Sequence, residues 1–541
     1  MKTRLFLLSV LAQALFLAHS PCGATQPATP PPSFRFTEAT IDELQARMAA
    51  GKLSARELSA AYLERIAQVD HAGPTLRSVI EVNPDALAIA DQLDAERKVG
   101  KVRGPLHGIP VLIKDNIATT DAMETTAGSL ALVGAKPFRE AFLVARLREA
   151  GAVILGKANL SEWANFRSTS GIGGWSGRGG QTSNPYVLDR LPSGSSSGSA
   201  VAVSANLCVV AVGTETDGSI VCPSSNCGIV GFKPTLGLVS RTGIIPIAAS
   251  QDTAGPMTRT VRDAALLLEA LSAPDTSDPV TLKRPAGYST QFASALKPGA
   301  LRGARLGVLH GPFGFPRTME PLLGKIVEAL RAAGAEIVDL GEVPSLTKLD
   351  DPEMEVLLYE FKAGINDWLR SLGDRTTIKS LEGLIAYNEA QRAVEMPLFG
   401  QELFLQAQAR GGLTDKAYLD ARSTCLRLTR TEGIDALLQT HRLDALVALT
   451  YTPAKRKNKV PGEQEGEGAS SSLAAVAGYP SVTVPAAHIG ALPVGLSFIG
   501  GAWQDARLLS LAADFEARTQ VRQLPRFLTT QETTETRTQQ P

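Results

Sequence analysis

Short apolar runs alternate with amphipathic segments along most of this chain, and no other feature constrains its fold as strongly. Helical periodicity covers residues 40–69 and 84–99, and Thr40 to Glu43 fits a capping box. Apolar runs bounded by glycine and polar residues, as buried strands are, occur at HGIPVLIKDNIA, at GAVILGKANL and at residues 304–310, 335–340, 445–450 and 481–485. Because these runs alternate with helices, we predict a single α/β domain with a large, mostly parallel sheet.

The N-terminus has the pattern of a secretory signal. Lys2 and Arg4 precede an apolar run that ends at Ala18, and small residues follow it. We place the signal at residues 1–24; a lipid anchor on Cys22 is the alternative. No later run is long and apolar enough to cross a bilayer. We therefore expect an exported protein, periplasmic or secreted, that has no membrane contact once the signal is removed.

The rest of the chain divides by composition. We assign residues 25–37 to a Pro-rich tether, residues 38–525 to the folded domain and residues 526–541 to a polar, frayed tail. A polar stretch at 455–472 predicts one long surface loop. The sequence shows no repeat of fixed period, so one continuous unit is expected.

Composition excludes several kinds of partner. Lys plus Arg and Asp plus Glu number 54 each, so no global charge attracts nucleic acid or acidic lipid. The spacing of Cys222 and Cys227 does not match a zinc site, and we expect neither a metal nor a cofactor. Disulfides and buried free thiols are both open alternatives for Cys208, Cys222, Cys227 and Cys425. A small neutral molecule is the default partner, and the chain is expected to be a monomer.

A Gly/Ser-rich stretch, LPSGSSSGSAVAVSA at residues 191–205, runs straight into an apolar segment, which argues against a flexible linker. Residues 194–198 match G-x-S-x-G, the nucleophile elbow, which would make Ser196 a nucleophile. An elbow needs an apolar strand before the turn, but NPYVLDRLPS precedes this one. It also needs a downstream histidine, and none of those available lies in a segment built to present one: His310, His441 and His488.

A second serine cluster, GTETDGSIVCPSSNCGIVGFKPT, places Ser219 directly after Asp217 and Gly218. Backbone N–H groups around a glycine before a helix can form an anion-binding nest, which a tetrahedral oxyanion requires. Lys114, at the end of the apolar run GIPVLIK, can supply a base because burial lowers the pKa of a lysine. Pairing of Lys114 with Asp115 is the structural alternative.

These segments together resemble the amidase signature family. The resemblance rests on GIPVLIKDNI, GSSSGSA, GTETDGSIVCP with GIVGFKPTLGLVSRTGIIP, SQDTAGPMTRTVRDAALLLEAL, AGYPSVTVPA and LPVGLSFIGGAWQDARLL. It covers most of residues 40–520, with a signature core at about 100–275. It implies a single α/β domain with a large twisted mixed sheet surrounded by helices, and amide hydrolysis by a Ser–Ser–Lys triad without a cofactor.

The resemblance also implies residue roles. Ser219 matches the nucleophile, Ser195 the bridging serine that follows a cis peptide, and Lys114 the base. The oxyanion hole would consist of the N–H groups of Thr216, Asp217, Gly218 and Ser219, and we assign Asp217 and Ser196 to substrate binding. The chain departs from the family at Asp217, which is usually glycine, and at Val221, which is usually arginine. Asp217 must either point away from the oxyanion or accept a substrate N–H.

The GTETDGS form and the signal resemble exported bacterial peptide amidases, which implies release of ammonia from C-terminal peptide amides. A broad aliphatic or aryl-acyl amidase is the alternative. The subunit that supplies ammonia to aminoacyl-tRNA is also similar, but it works in the cytoplasm, which conflicts with export. A non-catalytic exported binding protein with the same fold would require loss of triad residues, and all three are present.

Overall fold

An eleven-stranded mixed sheet runs through the structure, a computed structural model that describes residues 33–311, 313–457 and 468–531. The strands are β1 (Val79–Val82), β2 (Pro110–Lys114), β3 (Val153–Ala158), β4 (Trp175–Ser176), β5 (Gly180–Gln181), β6 (Val210–Glu215), β7 (Val230–Lys233), β8 (Thr253–Thr258), β9 (Arg305–Gly311), β10 (Glu336–Glu342), β11 (Ala445–Leu449), β12 (Ser481–Ile489) and β13 (Leu492–Ile499). Their order in the sheet is β1-β3-β2-β6-β8-β7-β12-β13-β11-β9-β10, and β4 and β5 pair separately.

The mixed character of the sheet confirms what the family resemblance implies, whereas the prediction of a mostly parallel sheet is wrong. Among the strands that the structure describes, parallel pairing is limited to β2 with β3 and β6 and to β9 with β10 and β11. The centre is antiparallel, because β12 and β13 form a hairpin and β8 pairs antiparallel with both β6 and β7. The two-residue turn of that hairpin includes Gly490 at φ +60°, a conformation that glycine adopts without strain.

Helices surround this sheet. They are α1 (Ile41–Ala49), α2 (Ala55–Arg65), α3 (Ala86–Lys98), α4 (Phe142–Glu149), α5 (Ser197–Ser204), α6 (Val221–Asn226), α7 (Val261–Leu271), α8 (Phe292–Ala295), α9 (Glu320–Ala332), α10 (Asp350–Ser371), α11 (Leu381–Ala390), α12 (Arg392–Glu395), α13 (Glu402–Gln408), α14 (Lys416–Leu426), α15 (Asp435–His441), α16 (Ser471–Ala477) and α17 (Asp505–Thr519). The capping box at Thr40 is present, as predicted. Within the described ranges, no helix combines the length and apolarity needed to cross a bilayer.

The packed chain begins earlier than the boundary predicted at residue 38. Phe36 is 1% exposed and its ring stacks on that of Tyr62. The ring of Phe34 contacts both of these rings edge-on. Phe34 and Phe36 thus pack against the folded domain, because both rings contact Tyr62 on α2, whereas Ser33, Arg35 and Thr37 are exposed. The predicted signal at 1–24 lies outside the described residues.

The packed chain also extends past residue 525, so the predicted tail begins too early. Phe527 is 3% exposed, and its N–H donates to Pro185 O at 3.0 Å. Gln531 Oε1 accepts the N–H of Ala491 at 2.7 Å. The rest of the tail, residues 532–541, lies outside the described residues.

The loop predicted at 455–472 is not a surface loop at its C-terminal end. Ser470 is 1% exposed, and Ser471 is 5% exposed and begins α16. The N–H of Ala469 donates to Phe313 O at 2.9 Å. Because serine and alanine are small enough to be buried next to a cavity, a polar composition does not require exposure here. Residues 458–467 lie outside the described part of the chain.

The parallel pair β2–β6 positions the functional groups. Both strands are buried over their whole length, and both end at the same edge of the sheet. Lys114 ends β2 and Glu215 ends β6, so the segment after β6 starts beside the lysine. All eight residues of α5, which leads into β6, are buried. The carboxyl edge of parallel strands is where α/β proteins place their ligands.

Candidate active site

Lys114 is fully buried, with its ammonium nitrogen at the carboxyl edge of the sheet. Its Nζ lies 2.8 Å from Ser195 Oγ, 2.9 Å from Thr214 Oγ1 and 3.3 Å from Thr214 O. Asn116 Nδ2 donates to the same Thr214 hydroxyl at 3.0 Å. The neighbouring Asp115 instead contacts Thr126, Gly128 and Arg178. An ion pair with Asp115 therefore does not account for the burial of Lys114.

The environment of Lys114 favours the neutral amine. Burial lowers the pKa of Lys114 to about 7, while the negative charges of Asp252 and Glu215 act in the opposite direction. A group with this pKa is available as a base near neutral pH. Lys157 and Lys233 are also fully buried, but their Nζ atoms bond to Ile117 O and Thr125 Oγ1 and to Pro234 O, respectively.

Ser195 lies between the lysine and a cavity. The Gly194–Ser195 peptide is cis, and Ser195 is 1% exposed. Its carbonyl accepts the N–H of Ser161 at 3.0 Å, which fixes the backbone of the loop before α5. The side chain of Ser195 contacts Lys114, and Ser195 also lines the cavity that contains Ser219.

Ser219 lies in the turn between β6 and α6. Its carbonyl accepts the N–H of Ser196 at 3.1 Å, so the two serine-rich segments are joined by their backbones. Glu215 Oε2 accepts the N–H groups of Ile220 and Val221 at 2.7 and 3.0 Å, which closes the turn around Ser219. Gly218 has φ +72°, the left-handed conformation that a nest of N–H groups uses.

Three consecutive N–H groups in this turn have no acceptor in the described part of the chain. Among the described residues, none of the N–H groups of Asp217, Gly218 and Ser219 donates a hydrogen bond. All three residues line the cavity. Buried N–H groups are nearly always paired in folded proteins, so a row of open donors facing a cavity is suited to hold an anion or a developing oxyanion.

Ser196 does not line the cavity, so its predicted role in substrate binding is wrong. Its side chain is fully buried behind the loop. Ser196 Oγ donates to Thr214 O at 2.9 Å and accepts the N–H of Thr214 at 3.1 Å. Two adjacent serines thus point to opposite sides, Ser195 toward the cavity and Ser196 into the core. The elbow hypothesis fails as well, because none of the three downstream histidines lines the cavity.

Asp217 lines the cavity, and side chains outside the signature core hold it. Ser472 Oγ donates to Asp217 Oδ2 at 2.5 Å. The carboxyl of Glu353, on α10, lies within hydrogen-bonding reach of Asp217. Burial and the charges of Asp217 and Asp350 raise the pKa of Glu353 well above its ordinary value, which favours the protonated form of this carboxyl. Sequence reasoning missed both Ser472 and Glu353.

The cavity has a volume of about 380 Å³. Its polar lining includes Ser195, the turn at 216–219, Asn226 and Lys455. Its apolar lining includes Phe166, Leu191, Ile247 and Leu357. Cys208, Cys222, Cys227 and Cys425 are buried, and none of these four forms a disulfide in the described part of the chain. A compact molecule with both polar and apolar groups fits such a mixed lining.

Comparison with known proteins agrees with this geometry. The model of the amidase family matches residues 57–509. A peptide amidase from Stenotrophomonas maltophilia, solved by X-ray crystallography, is 53% identical; the match covers 92% of this chain and all of that chain, with a TM-score of 0.87. The crystal structure of an amidase family protein from Bacillus anthracis is 37% identical over 90% of this chain and 92% of that chain, with a TM-score of 0.81. A probable amidase of Arabidopsis thaliana is 40% identical over 96% of this chain and 97% of the relative.

The chain belongs to the amidase family and is an enzyme that acts on amides. This confirms both the resemblance and the predicted fold, a large mixed sheet surrounded by helices. Among its relatives, it shares about half of its residues with peptide amidases of known structure.

Proposed function

We propose that this protein is a serine amidohydrolase in which Lys114, Ser195 and Ser219 form the catalytic triad. The observation that carries the proposal is the 2.8 Å contact between a fully buried lysine and Ser195, in the same cavity as Ser219 and its open N–H groups. Activation of a hydroxyl requires a base of matched pKa within hydrogen-bonding reach, and Lys114 meets both conditions.

The hydrogen-bond geometry of Lys114 supports its role as the base. A neutral amine has two N–H donors and one lone pair. Thr214 offers two acceptors to Lys114, its carbonyl and its hydroxyl. The lone pair is then directed at the Ser195 hydroxyl, which donates to it. Lys114 is thus oriented to take the proton of Ser195.

The reaction proceeds in two halves. In the first, Ser195 passes its proton to Lys114 and takes one from Ser219, whose Oγ forms a bond to the amide carbon. The N–H groups at 217–219 hold the resulting oxyanion, with Thr216 N–H at the edge of the same turn. The proton then returns through Ser195 to the leaving nitrogen, the C–N bond breaks and ammonia departs. In the second half, water attacks the acyl-enzyme by the same relay, releasing the acid and restoring Ser219.

The substrate we propose is the C-terminal amide of a peptide. Its support is the peptide amidase at 53% identity together with the carboxylate of Asp217 beside the oxyanion turn. A carboxylate there weakens the oxyanion hole unless a substrate N–H offsets its charge, and a primary amide or the last peptide N–H is such a donor. The apolar residues of the lining also suit an aryl or aliphatic acyl group, so a broader amidase is the second candidate.

Product analysis separates these two candidates. Purified protein is incubated with amidated peptides, with plain aliphatic and aryl amides and with peptides that have free C-termini. Ammonia release and product mass are then measured, and Ser219→Ala serves as the control. Peptide amides should be converted with a mass increase of one unit, and internal bonds should stay intact. Preference for the plain amides would favour the broader amidase, and cleavage of internal bonds would overturn both.

Export and a monomeric state are part of the proposal and rest on the sequence. The pattern at residues 1–24 supports export, so the mature protein should begin near residue 25. N-terminal sequencing of protein recovered from the periplasm or medium tests the cleavage, and light scattering of the purified enzyme tests the monomer. A full-length N-terminus retained in the cytoplasm would overturn export.

A further inference from the structure

The turn at residues 216–219, here the oxyanion turn, is held from outside by two consecutive side chains. Thr216 Oγ1 donates to Asp252 Oδ1 at 2.6 Å. Gln251 Nε2 donates to the carbonyl of Thr216 at 3.3 Å. Gln251 and Asp252 come just before β8, which pairs with β6 next to the turn. The first residue of the turn is therefore fixed through both its side chain and its backbone.

The bond to the Thr216 carbonyl matters for catalysis because of peptide geometry. The carbonyl of Thr216 and the N–H of Asp217 belong to one planar trans unit and point in opposite directions. Holding the carbonyl on the Gln251 side therefore directs the Asp217 N–H away from Gln251, toward the cavity that Asp217 lines. Preorganised N–H donors stabilise an oxyanion without any cost of reorganisation during the reaction.

Glu353 fixes Gln251 in turn. Gln251 Nε2 donates its second hydrogen to Glu353 Oε1 at 2.8 Å, so both hydrogens of the amide are used. Gln251 is 1% exposed and Glu353 is 7% exposed. A chain of hydrogen bonds therefore runs from α10, through Gln251, to the carbonyl of Thr216.

The same carboxyl reaches the second residue of the turn. Glu353 Oε1 accepts from Gln251, and in the protonated form, which the raised pKa favours, the carboxyl can also donate its proton to Asp217. Charges around the pair come from Asp350 and Asp217 on the acidic side and Lys233 on the basic side. A neutral Glu353 adds no further negative charge next to a developing oxyanion.

We propose that Gln251 and Glu353 are positioning residues for the oxyanion hole, with Gln251 orienting the Asp217 N–H and Glu353 bridging Gln251 and Asp217. The inference rests on the proposed function, because it assumes that the oxyanion forms at this turn. It predicts a role for two residues that touch no reacting atom.

Three variants test this proposal. Gln251→Met removes the donor to Thr216 at similar size, and Glu353→Met removes the bridge. Glu353→Gln retains it, because a glutamine side chain accepts with its oxygen and donates with its nitrogen, as the neutral acid does. We expect both Met variants to lower kcat about 10- to 100-fold with KM changed less than about 3-fold, a smaller loss than deleting an oxyanion donor. Glu353→Gln should stay within about 3-fold of wild type.

The affinities of two inhibitors distinguish a positioning role from a merely structural one, because a structural role would not change their ratio. A peptide aldehyde forms a tetrahedral adduct whose oxygen occupies the oxyanion hole, whereas the matching peptide alcohol forms none. The Met variants should bind the aldehyde more weakly than the wild type does and should bind the alcohol with unchanged affinity. Equal weakening of both inhibitors, unchanged kcat, or a Glu353→Gln variant as impaired as Glu353→Met would overturn the proposal. If Glu353→Met does not fold, Gln251→Met still tests the hydrogen bond between Gln251 and Glu353, because it removes the donor.

An activated p-nitrophenyl ester separates this test from that of the proposed function. Its hydrolysis also passes through an oxyanion, but its turnover does not depend on the identity of the natural amide. Wild-type protein without Ser219-dependent turnover of amide or ester would contradict the proposed function. Ser219-dependent turnover that the Met variants leave intact would contradict only the positioning role.

Discussion

Replacement of Lys114 with methionine should remove the base while leaving the core filled. Lys114 is fully buried, and methionine has a similar length and no charge to bury. General-base catalysis contributes about 10²- to 10⁴-fold, so we expect a loss of at least about 10²-fold in kcat/KM for an amide. A p-nitrophenyl ester should lose less, because its leaving group departs without a proton.

The pH dependence of the wild-type enzyme has a magnitude that follows from the environment of Lys114. Burial lowers its pKa to about 7, so the neutral fraction is about nine-tenths at pH 8 and about one-tenth at pH 6. A lysine with the ordinary pKa of about 10.4 would be neutral in under about 1% of molecules at pH 8. Below pH 7 the amine is protonated and cannot accept the Ser195 proton, so kcat/KM should fall about tenfold per pH unit.

Lys157→Met is the matched control for this prediction. Lys157 is also fully buried, and burial lowers its pKa to about 8, but its Nζ contacts Ile117 O and Thr125 Oγ1 rather than a serine of the cavity. Profiles of kcat/KM between pH 5 and 9 are compared for wild type and control, with melting temperatures recorded for all three proteins. The acid limb near pH 7 should persist in Lys157→Met. A flat wild-type profile, or equal retention of amide and ester activity in Lys114→Met, would make Lys114 structural.

Three further predictions follow from the same contacts. Ser219→Ala should fold normally and lose nearly all amide hydrolysis, whereas Ser196→Ala should retain much of this activity. Ser196→Ala should also melt at a lower temperature, because the buried Thr214 N–H loses its acceptor at a cost of about 1–3 kcal/mol. The reverse order of activities would restore Ser196 as the nucleophile. Asp217→Asn should lower activity on peptide amides and narrow the preference for amides over matching methyl esters, and an unchanged amide-to-ester ratio with both rates reduced would limit Asp217 to holding the turn. Phe36→Ala should lower the free energy of unfolding by about 3–5 kcal/mol in a denaturant titration. If Phe36 belonged to an unpacked tether, the same substitution would leave the free energy of unfolding unchanged.

Strand positions were predictable because buried strands leave a local signal. The apolar runs around β2 and β3 and those at β9 to β12 end within a few residues of the observed strands. Strand direction leaves no such signal, since a buried run has the same composition in either orientation. The alternation of apolar runs with helices therefore predicts a mostly parallel sheet, although the β12–β13 hairpin and the pairing of β8 reverse the direction at its centre.

The residues around the oxyanion turn show where local sequence patterns stop being informative. Glu353 lies in the first turn of α10 with Asp350 and Asp351, where acidic residues commonly complement the helix dipole. Nothing in that pattern marks it as a buried carboxyl, and its partner Gln251 is 102 residues away. Ser195 and Ser196 are chemically identical neighbours, so only the three-dimensional path of the loop decides which one faces Lys114.

The identity of the base illustrates the same point for charge. Lys114, Lys157 and Lys233 each lie at or near the end of an apolar strand, each is fully buried, and burial lowers the pKa of each, to about 7, 8 and 8. Burial and pKa therefore do not select among them. The hydrogen-bond partners distinguish the base from the other two lysines. Lys114 bonds to a hydroxyl of the cavity, whereas Lys157 and Lys233 bond to groups outside the cavity lining. A depressed lysine pKa becomes a catalytic property here through the parallel β2–β6 edge, which brings Lys114 beside the turn that contains Ser219.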